Sequence, residues 1–158
     1  MGTTTFSGPV VSTNGFTGAL TGNVTGAVTG AVASEVVTAT NAITAAESGT
    51  TFFLNSATEF VSTLPAPALG LTYRFVVTGA PVGASYTIVT ASSANIIKGM
   101  AVNAAGAAGD TGTADDTISF VDGQAVAGDM VEVISDGTSW FAYGFSRVAA
   151  GITFTQAS

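Results

Sequence analysis

The sequence predicts an all-β protein, with an extended N-terminal arm of tetrapeptide repeats over residues 1–33 and an antiparallel β-sandwich or jelly-roll-like head over 34–158. Three observations carry that expectation. A Thr-Gly-x-apolar tetrad repeats near the start, where repeats change the fold reading before anything else does. Beyond it, short β-type runs recur with turn signals every ~8–12 residues. No segment shows a convincing helical period.

The tetrads run from Thr13 to Val32, and four consecutive units, Thr17-Gly18-Ala19-Leu20 through Thr29-Gly30-Ala31-Val32, obey the pattern. A helix is a poor host for them, because one Gly per turn costs ~1 kcal/mol each relative to Ala and Thr and Val are stiff at χ1. On a strand, the period of two divides four evenly. One face then reads Phe16, Gly18, Leu20, Gly22, Val24, Gly26, Val28, Gly30, Val32, while the other is small and polar. The glycines let another backbone approach, and the bulky residues fill the remaining space. A lone strand cannot satisfy its polar groups and bury that stripe. Intertwined arms from several copies can, and small residues crowding about an axis favour three. Arms lying separately on other subunits by strand addition are the alternative.

In the head, the expected strands are 36–44, 50–54, 59–64, 71–78, 85–91, 96–102, 117–121, 130–135, 138–145 and 152–156. Asp136-Gly137 between two good strands is a two-residue hairpin signal. Residues 103–116, rich in Ala, Gly, Asp and Thr, read as one long surface loop.

Composition then narrows function. Charged residues make up 8% of the chain, against roughly 25% in an average soluble protein. A surface of Thr, Ser, Ala, Asn and Gly suits a protein packed against copies of itself or a larger assembly. Three basic residues, Arg74, Lys98 and Arg147, and a formal charge of −7 argue against nucleic acid and anionic membranes. No apolar run approaches the ~18 residues of a membrane span. The absence of His and Cys removes the commonest base, metal ligand and thiol nucleophile. The expectation is a protein that is no enzyme and needs no metal or cofactor.

The remaining candidates are few. Asp110, Asp115, Asp116 and Asp122 form the acidic cluster, but it lacks the spacing of a calcium loop and reads as solvated loop. Glu59 and Glu132 fall in expected strands. Glu132 shares a face with Met130 and Ile134 and reads as an edge or interface carboxylate, paired with Arg74 or Arg147. A Ser-Lys pair would rest on Lys98 alone. Asn23-Val24-Thr25 fits a glycosylation sequon that the tetrad register already explains. Trp140, Phe141, Tyr143 and Phe145 crowd one strand as core, with Trp140 and Tyr143 as the residues to face a ligand if the strand is a binding platform.

The tetrads Thr21-Gly22-Asn23-Val24-Thr25-Gly26-Ala27-Val28 resemble the N-terminal stalk repeats of bacteriophage virion proteins. The head, with Thr51-Phe52-Phe53-Leu54-Asn55, Thr63-Leu64-Pro65-Ala66-Pro67 and the run from Val131 to Trp140, resembles small phage head-decoration and fibre-head domains. The resemblance covers most of the chain. It implies a β-rich, trimeric virion structural protein with no catalytic residue. The expected function is a capsid decoration or cement protein on the outer surface of the head, with itself and the major capsid protein as partners. The alternative is a receptor-binding fibre tip that contacts host glycan.

Overall fold

The computed structural model describes residues 33–104, 106 and 109–156. Within them the protein is all-β, with two short 3-10 turns at Ala45–Glu47 and Ala91–Ser93. The arm residues Phe16, Gly18, Leu20, Gly22, Val24, Gly26, Val28, Gly30 and Val32 lie outside the described residues.

Twelve strands follow in chain order: β1 (Ser34–Val37), β2 (Asn41–Ala42), β3 (Thr51–Leu54), β4 (Phe60–Thr63), β5 (Thr72–Val77), β6 (Tyr86–Val89), β7 (Ile97–Asn103), β8 (Thr111–Asp115), β9 (Thr117–Phe120), β10 (Met130–Ser135), β11 (Trp140–Ser146) and β12 (Ile152–Thr155). They form a seven-stranded sheet, β1-β3-β5-β10-β11-β7-β8, and a five-stranded sheet, β12-β9-β6-β4-β2. The expected antiparallel sandwich is corrected here, because both sheets are mixed. The pairs β1–β3, β3–β5, β2–β4, β4–β6 and β7–β11 are parallel. From β1 to β6 the chain passes from one sheet to the other and back, laying each strand parallel beside the strand two before it. Parallel neighbours need a crossover, usually a helix. Here a strand of the opposite sheet does that work.

Alternation places the core. In β5, Tyr73, Phe75 and Val77 point in; in β10, Val131 and Val133; in β11, Trp140 and Ala142. The five-stranded sheet contributes Phe60, Tyr86, Ile88, Ile118, Phe120 and Ile152 to the same apolar cluster. Phe52 stacks on Phe75 at 5.3 Å and Phe60 on Tyr86 at 4.4 Å between ring centroids. The Tyr86 hydroxyl lies 2.7 Å from the Ser56 carbonyl and accepts from the Ser56 amide at 3.1 Å, so its polar end is satisfied inside the core.

Three local expectations change. The run 36–44 is two strands, β1 and β2, in different sheets. The hairpin around Asp136-Gly137 joins β10 to β11 with Ser135 opposite Trp140, so its loop is the four residues 136–139. Asp136 Oδ1 holds that loop, accepting from the Ser139 amide at 2.7 Å and the Thr138 amide at 2.8 Å. Third, the supposed loop 103–116 contains β8, antiparallel to β7. Its small residues hid it: a Cβ on Gly112 would sit 3.0 Å from the Phe154 ring, so the absent side chain is what lets β12 approach.

Candidate functional site

The two outer faces of this sandwich differ in chemistry. On the five-stranded sheet, the outward rows run Val61–Thr87–Ser119–Thr153 and Thr63–Val89–Thr117–Thr155. Six of these eight residues are Ser or Thr and none is charged, close to the uncharged surface the composition predicts. The outer face of the seven-stranded sheet is different. A single register row crosses six strands as Val36–Phe53–Val76–Met130–Phe145–Val102, all apolar.

The row beside it reads Ser34–Thr51–Arg74–Glu132–Tyr143–Met100–Thr111. A third reads Thr72–Ile134–Phe141–Lys98. Much of this surface meets water: Val36 is 58% exposed, Phe145 55%, Met100 50% and Tyr143 45%. Scattered exposed apolar residues are ordinary, but a contiguous band of them marks an interaction surface.

Two ionic features sit on the face. Arg74 Nη2 donates to Glu132 Oε1 at 3.2 Å, which settles the partner of Glu132 in favour of Arg74. Both side chains are partly exposed, so the pair is worth only ~0.2–1 kcal/mol and is a neutral inset rather than a clamp. At the margin, Lys98 Nζ lies 5.9 Å from the Phe141 ring centroid and donates to Ser139 Oγ at 3.1 Å. The Ser-Lys contact that the sequence left to Lys98 is therefore made with Ser139, at the margin of the face.

Trp140 is not on this face. It is fully buried beside Tyr73, 5.7 Å between centroids, and its Nε1 has no hydrogen-bond partner. Trp140 is core, as the strand's aromatics were read, so it does not face a ligand, whereas the core reading is corrected for Phe141, Tyr143 and Phe145, which face outward. The parity along β11 was the available signal: 140, 142 and 144 point in, and 141, 143 and 145 point out, so Phe141, Tyr143 and Phe145 share one surface.

The aspartates are used singly, as acceptors that hold turns and edges. Asp110 accepts from the Thr111 and Phe154 amides at 2.9 and 2.7 Å, and Asp115 from the Thr113 amide at 3.0 Å. The Asp116 carboxylate accepts from Thr117 Oγ1 at 2.7 Å, and Asp122 from the Gly83 amide at 3.0 Å. Buried Asp129 takes the Arg147 amide at 2.8 Å and Ser146 Oγ at 2.9 Å. Glu59 precedes β4 in the five-stranded sheet and Glu132 lies in the other, so the two are not brought together on one sheet. Among the described residues, no three His, Cys, Asp or Glu gather as metal ligands would. No family model, curated protein or solved structure matches this chain.

Proposed function

We propose that this chain is a bacteriophage virion structural protein, a homotrimeric capsid decoration or cement protein that binds the outer surface of the head. The observation that carries the reading is the contrast between the two faces. One is rich in Ser and Thr and uncharged, and the other is an apolar band crossing six strands. A β-scaffold of that kind offers contact area and needs no chemistry. The N-terminal tetrads belong to the same proposal, as an arm that holds copies together or anchors them on the major capsid protein.

The outward line Phe141, Tyr143 and Phe145 favours a second reading, a fibre tip on which sugar rings of a host glycan stack. Copy number separates the two. Quantitative gel analysis of purified virions gives hundreds of copies for a decoration protein and a handful for a fibre tip. Absence from virions defeats both.

A further inference from the structure

We infer that the outer face of the seven-stranded sheet is a subunit interface, packed against the same face of a second copy of this chain. The inference rests on the assembly reading above and names what covers the face.

Area comes first. Six strands ~4.8 Å apart span ~24 Å, and three outward rows spaced two residues along each strand cover ~20 Å. The patch is then on the order of 500 Å² per copy, or ~1,000 Å² for two copies face to face. That reaches the size at which specific interfaces begin, and it matches the ~300–600 Å² of the largest surface patch on a monomer, which is often functional.

Charge selects the occupant. The chain carries −7, so two copies repel wherever their acids approach. Of all its acids, only Glu132 lies in the outward rows of this face, and Arg74 neutralises it. Lys98 sits at the margin. Identical, strongly acidic bodies can therefore meet on this face without that penalty, and of the two acid-poor faces it is the apolar one. Arg74 and Glu132 also make it self-complementary. They occupy opposed positions on neighbouring strands, 49% and 35% exposed, and each can be offered to its counterpart on an identical copy. A foreign partner would have to supply both signs at that spacing.

The test uses the purified full chain, without particles. Sedimentation over a concentration series should give an oligomer for the native sequence. Tyr143→Lys and Phe145→Lys should each raise the dissociation midpoint at least tenfold while keeping the thermal melt and the near-ultraviolet signal of Trp140. Thr155→Lys, on the hydroxyl-coated sheet, should leave the midpoint unchanged. Because the chain has no Cys, Tyr143→Cys gives a clean second readout: maleimide labelling slower in the concentrated oligomer than on dilution, with Thr155→Cys labelled equally in both.

A native chain that is monomeric up to its solubility limit overturns the inference. So does an oligomer indifferent to both lysines, or Tyr143→Cys labelled equally at all concentrations. Lysine variants that stay oligomeric but lose particle adsorption assign the face to the capsid and overturn the inference while leaving the decoration reading intact. A face-dependent dimer supports the inference and removes only the threefold number. A handful of copies per virion removes the decoration reading and leaves the interface standing.

Discussion

Truncating Phe145 to alanine makes the interface quantitative. Phe145 is 55% exposed in the single chain, and a Phe ring system has ~200 Å² to bury. About 110 Å² therefore remains for a partner to cover. At ~25 cal/mol per Å², and allowing for what alanine still buries, each copy loses about 2 kcal/mol of association free energy. Two copies face to face lose about 4 kcal/mol, which is ~10³ in the dimer dissociation constant at 1.4 kcal/mol per tenfold. The concentration at half dissociation scales directly with that constant, so it should rise ~10³-fold. Sedimentation equilibrium at several loading concentrations measures it directly. In dilute monomer the thermal midpoint should move by only a few degrees, because the covered part of the ring is all that the isolated fold loses. A midpoint that shifts less than about threefold would refute the argument, since Phe145 would then be as exposed in the assembly as in the single chain.

Two further outcomes test the fold beneath the face. A Cβ on Gly99 would lie 2.0 Å from the Ala142 carbonyl oxygen on the paired strand, so Gly99→Ala should cost at least about 1–3 kcal/mol by forcing β7 and β11 apart; a urea midpoint equal to the native one would show that the strands already have room. Hydrogen bonds from the Ser139 and Thr138 amides, and then from the Thr138 hydroxyl, hold the Asp136 carboxyl below its ordinary value. Its contribution is therefore fully present above the unfolded-state pKa of ~3.9 and disappears as pH falls through the lower folded value. Asp136→Asn should flatten the melting-temperature profile below about pH 4, and a profile parallel to the native one would contradict that linkage.

Alternation along the strands was legible in the sequence because it is written residue by residue. Val131, Glu132 and Val133 announce which side is wet, and Glu132 does share its outward face with Met130 and Ile134. Which strand lies beside which is not written there. Ser34–Val37 pairs parallel with Thr51–Leu54 only because Asn41–Ala42 crosses to the other sheet between them, and the period-two pattern would look the same in an antiparallel hairpin. Strand β8 stayed hidden because Gly112 and Ala114 carry little β-signal, while the approach of Phe154 needs that smallness. Trp140 was grouped with Tyr143 by aromatic content, although three residues apart on a strand means opposite faces.

The acidity of the chain and the neutrality of its apolar face follow from one allocation of charge. Carboxylates at Asp110, Asp115, Asp122, Asp129 and Asp136 accept backbone amides where turns and edges leave donors without strand partners. Such bonds are charge-assisted and stronger than neutral ones. Loops rich in Gly and Ala gain their rigidity from them. Acids used in this way accumulate at loops and strand margins, and with three basic residues against ten acids they contribute to the −7. The middle of the seven-stranded sheet has no orphan amides, because every strand there has a neighbour on both sides. It therefore needs no carboxylate for that purpose, and the single one it presents outward is matched by Arg74. A surface freed from that task can be given largely to Val, Ile, Phe, Tyr and Met. On a chain this acidic, an identical copy meets little repulsion there and buries more apolar area than on the hydroxyl-rich sheet.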